Sequence, residues 1–228
     1  MWCVQKTCCG IWYNRRAMRI IPLDATHEVS AVLETIRIIK NGGVVIVPTD
    51  TVYGIIADAW NEKAIDRIFK IKMRTAEKAL PIFVSDFTMM DKVAVANESL
   101  KERIESFGSV TAILPARGWV PLSLRGGSLT VGVRIPFHPF VKKILETFGS
   151  PITGTSANTS GRGPYTKIGD VIDEFEGGME PDLIVDAGDL PPNSPSAVID
   201  FMVSPPRILR TGALPKHKLI ELLNNQAE

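Results

Sequence analysis

Cysteine is confined to one end of this 228-residue chain: Cys3, Cys8 and Cys9 are the only three. A disulfide framework is thereby excluded for the body of the protein, and a reducing, cytoplasmic setting is expected. Histidine is equally scarce. His27, His138 and His217 stand in no metal-ligand spacing and beside no candidate nucleophile. Neither sign of charge is in excess, since 26 Lys and Arg against 25 Asp and Glu leave a formal +1. Such a chain has no global field to gather nucleic acid, so a polyanion would have to be held by a local patch. No apolar run reaches the roughly 18–20 residues that span a bilayer, and no membrane partner is expected. A G-x-S-x-G elbow and a G-x-x-x-x-G-K-[ST] loop are also missing. These absences argue against a covalent nucleophile and against a protein metal centre. They leave catalysis by positioning and charge stabilisation.

The first 17 residues differ from the rest, being rich in Trp, Cys and Arg without a period. Their apolar stretch is too short for a signal peptide and is followed by Arg15 and Arg16. A disordered leader over 1–17 and a single domain over 18–228 are expected.

From Met18 onward, strands and helices alternate. Strands are predicted at Arg19–Leu23, Val44–Thr49, Leu80–Val84, Val110–Leu114, Leu129–Ile135, Leu183–Asp186, Ala197–Phe201 and Arg207–Arg210. Helices are predicted at His27–Lys40, Asn61–Met73, Asp86–Val95, Glu98–Phe107, Phe137–Phe148, Ile168–Phe175 and from Pro215 to about Asn225. Asn41-Gly42-Gly43 should stop the first of them. The late strands have few helices between them, so the expectation is an α/β fold with a twisted, open, mixed sheet.

Three polar stretches stand where a chain needs only a turn. Pro48-Thr49-Asp50-Thr51-Val52-Tyr53-Gly54 follows a buried strand, Lys72-Met73-Arg74 ends a helix, and Thr155 to Gly161 supplies Ser156, Asn158 and Ser160. Loops at strand ends converge on crevices in α/β sheets, so hydroxyls and cations there point to a polar, anionic ligand. Lys63, Arg67, Lys70 and Arg74 make a basic helical stripe, which is equally a solvated face with Glu62 and Asp66 as partners. Arg134, in an apolar strand, is either paired or lining a site. Asp50 is either a base or, more commonly in such a segment, a turn hydrogen-bonder.

In order along the chain come Pro48 to Gly54, Lys72-x-Arg74, Thr130-Val131-Gly132-Val133-Arg134-Ile135-Pro136, Ser156-Ala157-Asn158-x-Ser160-Gly161, Ser196-Ala197-Val198-Ile199-Asp200 and Ile208-Leu209-Arg210. This ordered set, from about Met18 to Ala213, resembles the YrdC/TsaC family of threonylcarbamoyl-AMP synthases in its short single-domain form. The resemblance implies a YrdC-like fold with a concave, positively charged face. It also implies a reaction: L-threonine, bicarbonate and ATP give L-threonylcarbamoyladenylate and pyrophosphate. The product would serve N6-threonylcarbamoyladenosine formation at position 37 of tRNA, with tRNA and the tRNA-threonylcarbamoyl transferase complex as further partners.

Carried over by motif, Thr51, Arg134, Gly154 and Ser196 look like L-threonine-binding positions. Arg74, Lys78, Thr130, Ser156 and Arg210 look like ATP-binding positions, with Mg2+ accompanying the ATP. Lys72 would sit on the same cationic edge near phosphates or carboxylate, and is the one candidate for a catalytic role. The family pattern is departed from at Phe83, where His is frequent, at Pro164, and at Pro195-Ser196-Ala197. Two other functions compete. A double-stranded RNA-binding module needs only the Lys/Arg stripe, whereas hydroxyls beside the cations imply a small-molecule pocket. A carbamoyl-transfer enzyme of hydrogenase maturation would bring zinc-finger-like cysteines and a much longer chain.

Overall fold

The computed structural model describes residues 18–75 and 78–214. The expected leader and closing helix lie outside them. In chain order the elements are β1 (Arg19–Pro22), α1 (Glu28–Lys40), β2 (Val45–Val47), β3 (Gly54–Ile56), α2 (Glu62–Ile71), β4 (Ile82–Phe83), α3 (Phe87–Met90) and α4 (Glu98–Ser106). They continue with β5 (Thr111–Pro115), α5 (Leu122–Arg125), β6 (Thr130–Arg134), α6 (Pro139–Phe148), β7 (Ile152–Thr153), β8 (Thr155–Ser156), α7 (Ile168–Phe175), β9 (Leu183–Asp186), β10 (Val198–Asp200) and β11 (Arg207–Arg210).

The strands form two mixed sheets rather than one. Five strands run in the order β1-β9-β2-β3-β8, and six in the order β11-β10-β5-β6-β4-β7. The α/β character read from the sequence holds, and the division into two sheets is the refinement. Gly154 is where the chain leaves the larger sheet after β7 and enters the smaller one as β8. A crevice between the sheets follows from this topology.

Local chemistry explains most element ends. In α1 the buried residues Ala31, Val32, Thr35, Ile36, Ile38 and Ile39 make one face, and Gly42, at φ +75°, stops the helix. Asn61 caps α2 by accepting from the Ala64 amide, while Ala64, Ile65, Ile68 and Phe69 face the core. Each of these buried branched or aromatic side chains contributes about 1.5–3 kcal/mol relative to exposure. Among the described residues, no helix is long and apolar enough to cross a membrane.

Three expectations are corrected. Pro48–Tyr53 is a hairpin loop, because β2 pairs antiparallel with β3 in the register Val47↔Gly54; Ile55 and Ile56 were too short an apolar run to read as a strand. The helix expected over Asp86–Val95 has only the turn α3, capped by Asp86. Beyond it the Val95 amide donates to the Pro115 carbonyl and that of Arg117 to the Val93 carbonyl, so β pairing takes the rest. Between β5 and β6, where no helix was expected, the chain forms the short helix α5.

Candidate active site in the cleft between the sheets

Both sheets contribute to a cavity of about 290 Å³. The hairpin loop and β8 supply Thr49, Thr51, Thr155 and Ser156. The six-stranded sheet and its connections supply Thr111, Arg134, Ser196 and Arg210, and the segment after α2 supplies Arg74. Apolar walls come from Val52, Phe83, Ile113 and Val198. Three arginines and a ring of hydroxyls thus face one space, a composition suited to a polar ligand with several negative charges.

Arg134 is both paired and lining. It is 4% exposed. Its Nη2 donates to Asp50 Oδ2 at 2.7 Å and to Ser109 Oγ at 3.0 Å, and its Nε donates to Ser109 Oγ at 3.1 Å. Nη1 reaches Thr51 Oγ1 at 3.4 Å. One edge of the guanidinium is therefore held by protein, and the Nη1 side remains for a ligand. Burial pulls Arg134 below the ordinary arginine range, against the opposing charge of Asp50. Its carbon Cζ also lies 5.6 Å from the centroid of the Phe83 ring, within cation–π reach. Asp50 thus serves as the counterion of this arginine, a role its turn-forming context did not signal. Ser109, whose hydroxyl donates to Asp50 at 2.7 Å, carried no sequence signal at all.

Phe83 forms the wall beside Arg134, its register partner on the neighbouring strand. A Cβ on Gly154 would lie 2.2–2.4 Å from three atoms of the Phe83 ring, so only glycine fits there. The Gly154 amide donates to the Pro81 carbonyl at 2.8 Å. Any ligand contact of Gly154 would therefore use its carbonyl. Ser196 is 5% exposed, and its hydroxyl shares a 2.9 Å hydrogen bond with that of Thr111.

Arg74 donates from Nη2 to the Ala79 carbonyl at 2.8 Å, and Arg210 donates from Nε to the Ser196 carbonyl at 3.0 Å. Burial lowers both below the ordinary arginine range. The α2 stripe does not act as a unit. Lys63 and Lys70 are exposed, Arg67 pairs with Asp182 at 2.6 Å, and only Arg74 lines the cavity.

Lys72 departs from its expected place. It is 2% exposed, is not among the lining residues, and gives its ammonium to the main-chain carbonyls of Ser156 and, at 2.7 Å, Asn158. Burial, helped by the charge of Arg74 and opposed by Glu174, lowers its pKa to about 7. Thr130 and Lys78 also fall outside the lining. Thr130 shares a hydroxyl hydrogen bond with Ser128 at 2.8 Å, and Lys78 is exposed. Tyr53 ties the two polar loops together. Its amide donates to the Tyr165 carbonyl and its carbonyl accepts from Ala157, while its hydroxyl donates to the Gly188 carbonyl at 2.7 Å. Burial pushes that phenol up to about 12.

Against known proteins, the sequence profile of the Sua5/YciO/YrdC family, described as "Telomere recombination", matches residues 37–212. A threonylcarbamoyl-AMP synthase of Pyrococcus abyssi is 35% identical over 191 residues, covering 81% of this chain and 55% of its own length. A putative threonylcarbamoyl-AMP synthase of Methanocaldococcus jannaschii is 35% identical over 183 residues, covering 79% of this chain and 85% of its own. The crystal structure of P. abyssi Sua5 complexed with L-threonine superposes with a TM-score of 0.81 at 32% identity, over 90% of this chain and 60% of that one. This chain therefore spans little more than half of the Pyrococcus relative. Profile, relatives and fold agree with the six ordered motifs, and the chain belongs to the Sua5/YciO/YrdC family.

Proposed function

We propose that this chain is an L-threonylcarbamoyladenylate synthase, joining L-threonine, bicarbonate and ATP and releasing pyrophosphate. The observation that carries the reading is the convergence of Arg74, Arg134 and Arg210 with hydroxyls on one cavity, in a chain whose relatives bear that activity in their names. Hydroxyls beside the cations favour a small-molecule pocket over a duplex-binding face, which would need the exposed stripe alone.

In this reading Arg134 offers Nη1 to the amino-acid carboxylate, framed by Thr51, Ser196 and Gly154. Arg74, Arg210 and Ser156 take the nucleotide end. The threonine amine and bicarbonate combine to a carbamate with loss of water. A carbamate oxygen then attacks the α-phosphorus, the bond to the β-phosphate oxygen breaks, and pyrophosphate leaves with that electron pair. The arginines stabilise charge on the transferring group, and no side chain forms a covalent bond. Among the described residues no group of three or more His, Cys, Asp or Glu could cage a metal ion. Magnesium would enter as an ion carried by the triphosphate. The adenylate would be consumed in modifying adenosine 37 of tRNA by a transferase complex, and the cysteine-free core suits a cytoplasmic enzyme.

The test is product identity. Given ATP, L-threonine and isotopically labelled bicarbonate, the protein should yield an adenylate whose mass carries both the label and threonine. An unlabelled adenylate, or none, would reject the reading.

A further inference from the structure

A buried carboxylate outside the cavity organises the loop that forms the nucleotide end. Glu174 lies on α7, three residues after the buried Val171, and its side chain is 1% exposed. Its Oε1 accepts from the Thr159 amide at 3.0 Å and from the Thr159 hydroxyl at 2.5 Å. Its Oε2 accepts from Arg162 Nη1 and from the Tyr165 hydroxyl, both at 2.9 Å. All four partners sit on the loop that begins at Thr155 and Ser156, two cavity-lining residues. Burial alone would raise the Glu174 carboxyl, but the hydrogen bonds from Thr159, Tyr165 and Arg162 hold it at about 2, so it stays ionised at neutral pH.

The same loop is gripped from its other side by the Lys72 ammonium through the Ser156 and Asn158 carbonyls. The Ser160 amide donates back to the Lys72 carbonyl at 2.8 Å. Two buried charges of opposite sign thus fix one loop, and Glu174 also supports the charged form of Lys72.

We propose that Glu174 is a positioning residue for the nucleotide end of the cavity, acting through the Thr155–Tyr165 loop without touching a ligand. The inference rests on reading that end as an ATP site. A carboxylate is required because four donors converge on it and it can accept on both oxygens. Gln would keep the shape but place an NH2 group against one pair of those donors; the hydroxyl of the pair can turn to accept from it, while the Thr159 amide or the Arg162 guanidinium loses its partner. Removing the negative charge also favours neutral Lys72, and a neutral amine holds carbonyls less strongly than an ammonium. Lys72 is faced by Arg74 and Glu174, and Glu174 by Arg162 and Tyr165, so loss of Glu174 leaves Lys72 with only the unfavourable charge of Arg74.

The experiment is calorimetric titration of ATP and of L-threonine into wild type and Glu174→Gln, at about pH 8 and about pH 6, either side of the neutral pKa of Lys72. Glu174→Gln should weaken ATP about tenfold at the lower pH, where wild-type Lys72 is charged and loss of Glu174 disfavours its proton, while threonine stays within about twofold; the ATP defect should shrink at the higher pH, where Lys72 is neutral in both proteins. Equal weakening of both ligands, or ATP bound as by wild type, would overturn the inference alone. A defect of the same size at both pH values would overturn the coupling through Lys72. Failure of the wild type to bind ATP would overturn the functional reading and the inference with it. Should Glu174→Gln not fold, Tyr165→Phe removes one of the four donors and should weaken ATP about two- to fivefold with threonine unchanged; no change would overturn the proposal.

Discussion

Arg134 is both an ion-pair partner in the fold and a lining residue of the cavity. Its pairing with Asp50 and Ser109 uses Nε and Nη2, leaving Nη1 toward Thr51 and the cavity. Arg134→Ala should weaken L-threonine far more than ATP, because Arg74 and Arg210 remain for the phosphates. It should also destabilise the fold by about 3–5 kcal/mol, since Asp50 is left as an uncompensated, mostly buried charge. Arg134→Lys keeps the charge but cannot meet Asp50, Ser109 and a ligand at once, so it should restore stability better than threonine affinity. Calorimetry with each ligand, alongside urea unfolding, separates the two effects; equal weakening of both ligands would move Arg134 to the phosphates. Arg74 is half-buried rather than the exposed end of a stripe, with one donor spent on Ala79. If Arg74 holds phosphate as proposed, Arg74→Ala should cost about 1.5–3 kcal/mol, roughly 10- to 100-fold in rate. A large fall in melting temperature with normal activity per folded molecule would make it structural instead. At Gly154 the test is steric. Gly154→Ala should cost about 1–3 kcal/mol and impair threonine binding, and Phe83→Leu in the same chain should recover part of both, measured as a double-mutant cycle.

At the scale of elements, the end of α2 explains why Lys72 and Arg74, two residues apart, do different things. The Arg74 amide donates to the Phe69 carbonyl and the Met73 amide to that of Lys70, the paired bonds of a Schellman motif. The left-handed position is filled by Met73, at φ +47°, where glycine is the usual occupant. The turn sends Lys72 inward to the Ser156 loop and Arg74 to the cavity, while Met73 is 79% exposed. Met73→Gly should therefore stabilise the protein by about 0.5–1 kcal/mol in urea unfolding, since strain is relieved and no packing is lost. Destabilisation would mean that the Met73 side chain holds the turn. Helical period and caps made α1, α2, α4, α6 and α7 readable from sequence to within a residue or two. The short strands β3, β7 and β8 were not, because two or three residues give no period and their pairing comes from partners far along the chain.

For the whole molecule, the ordered motifs identified the family and brought Thr51, Arg74, Arg134, Gly154, Ser156, Ser196 and Arg210 to one cavity. What they could not convey was which of the carried-over polar groups face it. Lys72, Lys78 and Thr130 lie outside the lining, because a helix cap, a surface turn and the start of an interior strand decide their directions. The counterion role of Asp50, and Ser109 and Glu174 altogether, went unrecognised for the converse reason: such a role is defined by what reaches the group in space. Of the last two, Glu174 left a trace, an acid placed three residues after a buried valine on an amphipathic helix. The proposed reaction joins three substrates in the cleft between the two sheets, and its readout is the rate of pyrophosphate release. With ATP alone, or ATP with either L-threonine or bicarbonate depleted, release should stay at background, and with all three it should rise. Release that ignores threonine or bicarbonate would reject the synthase reading.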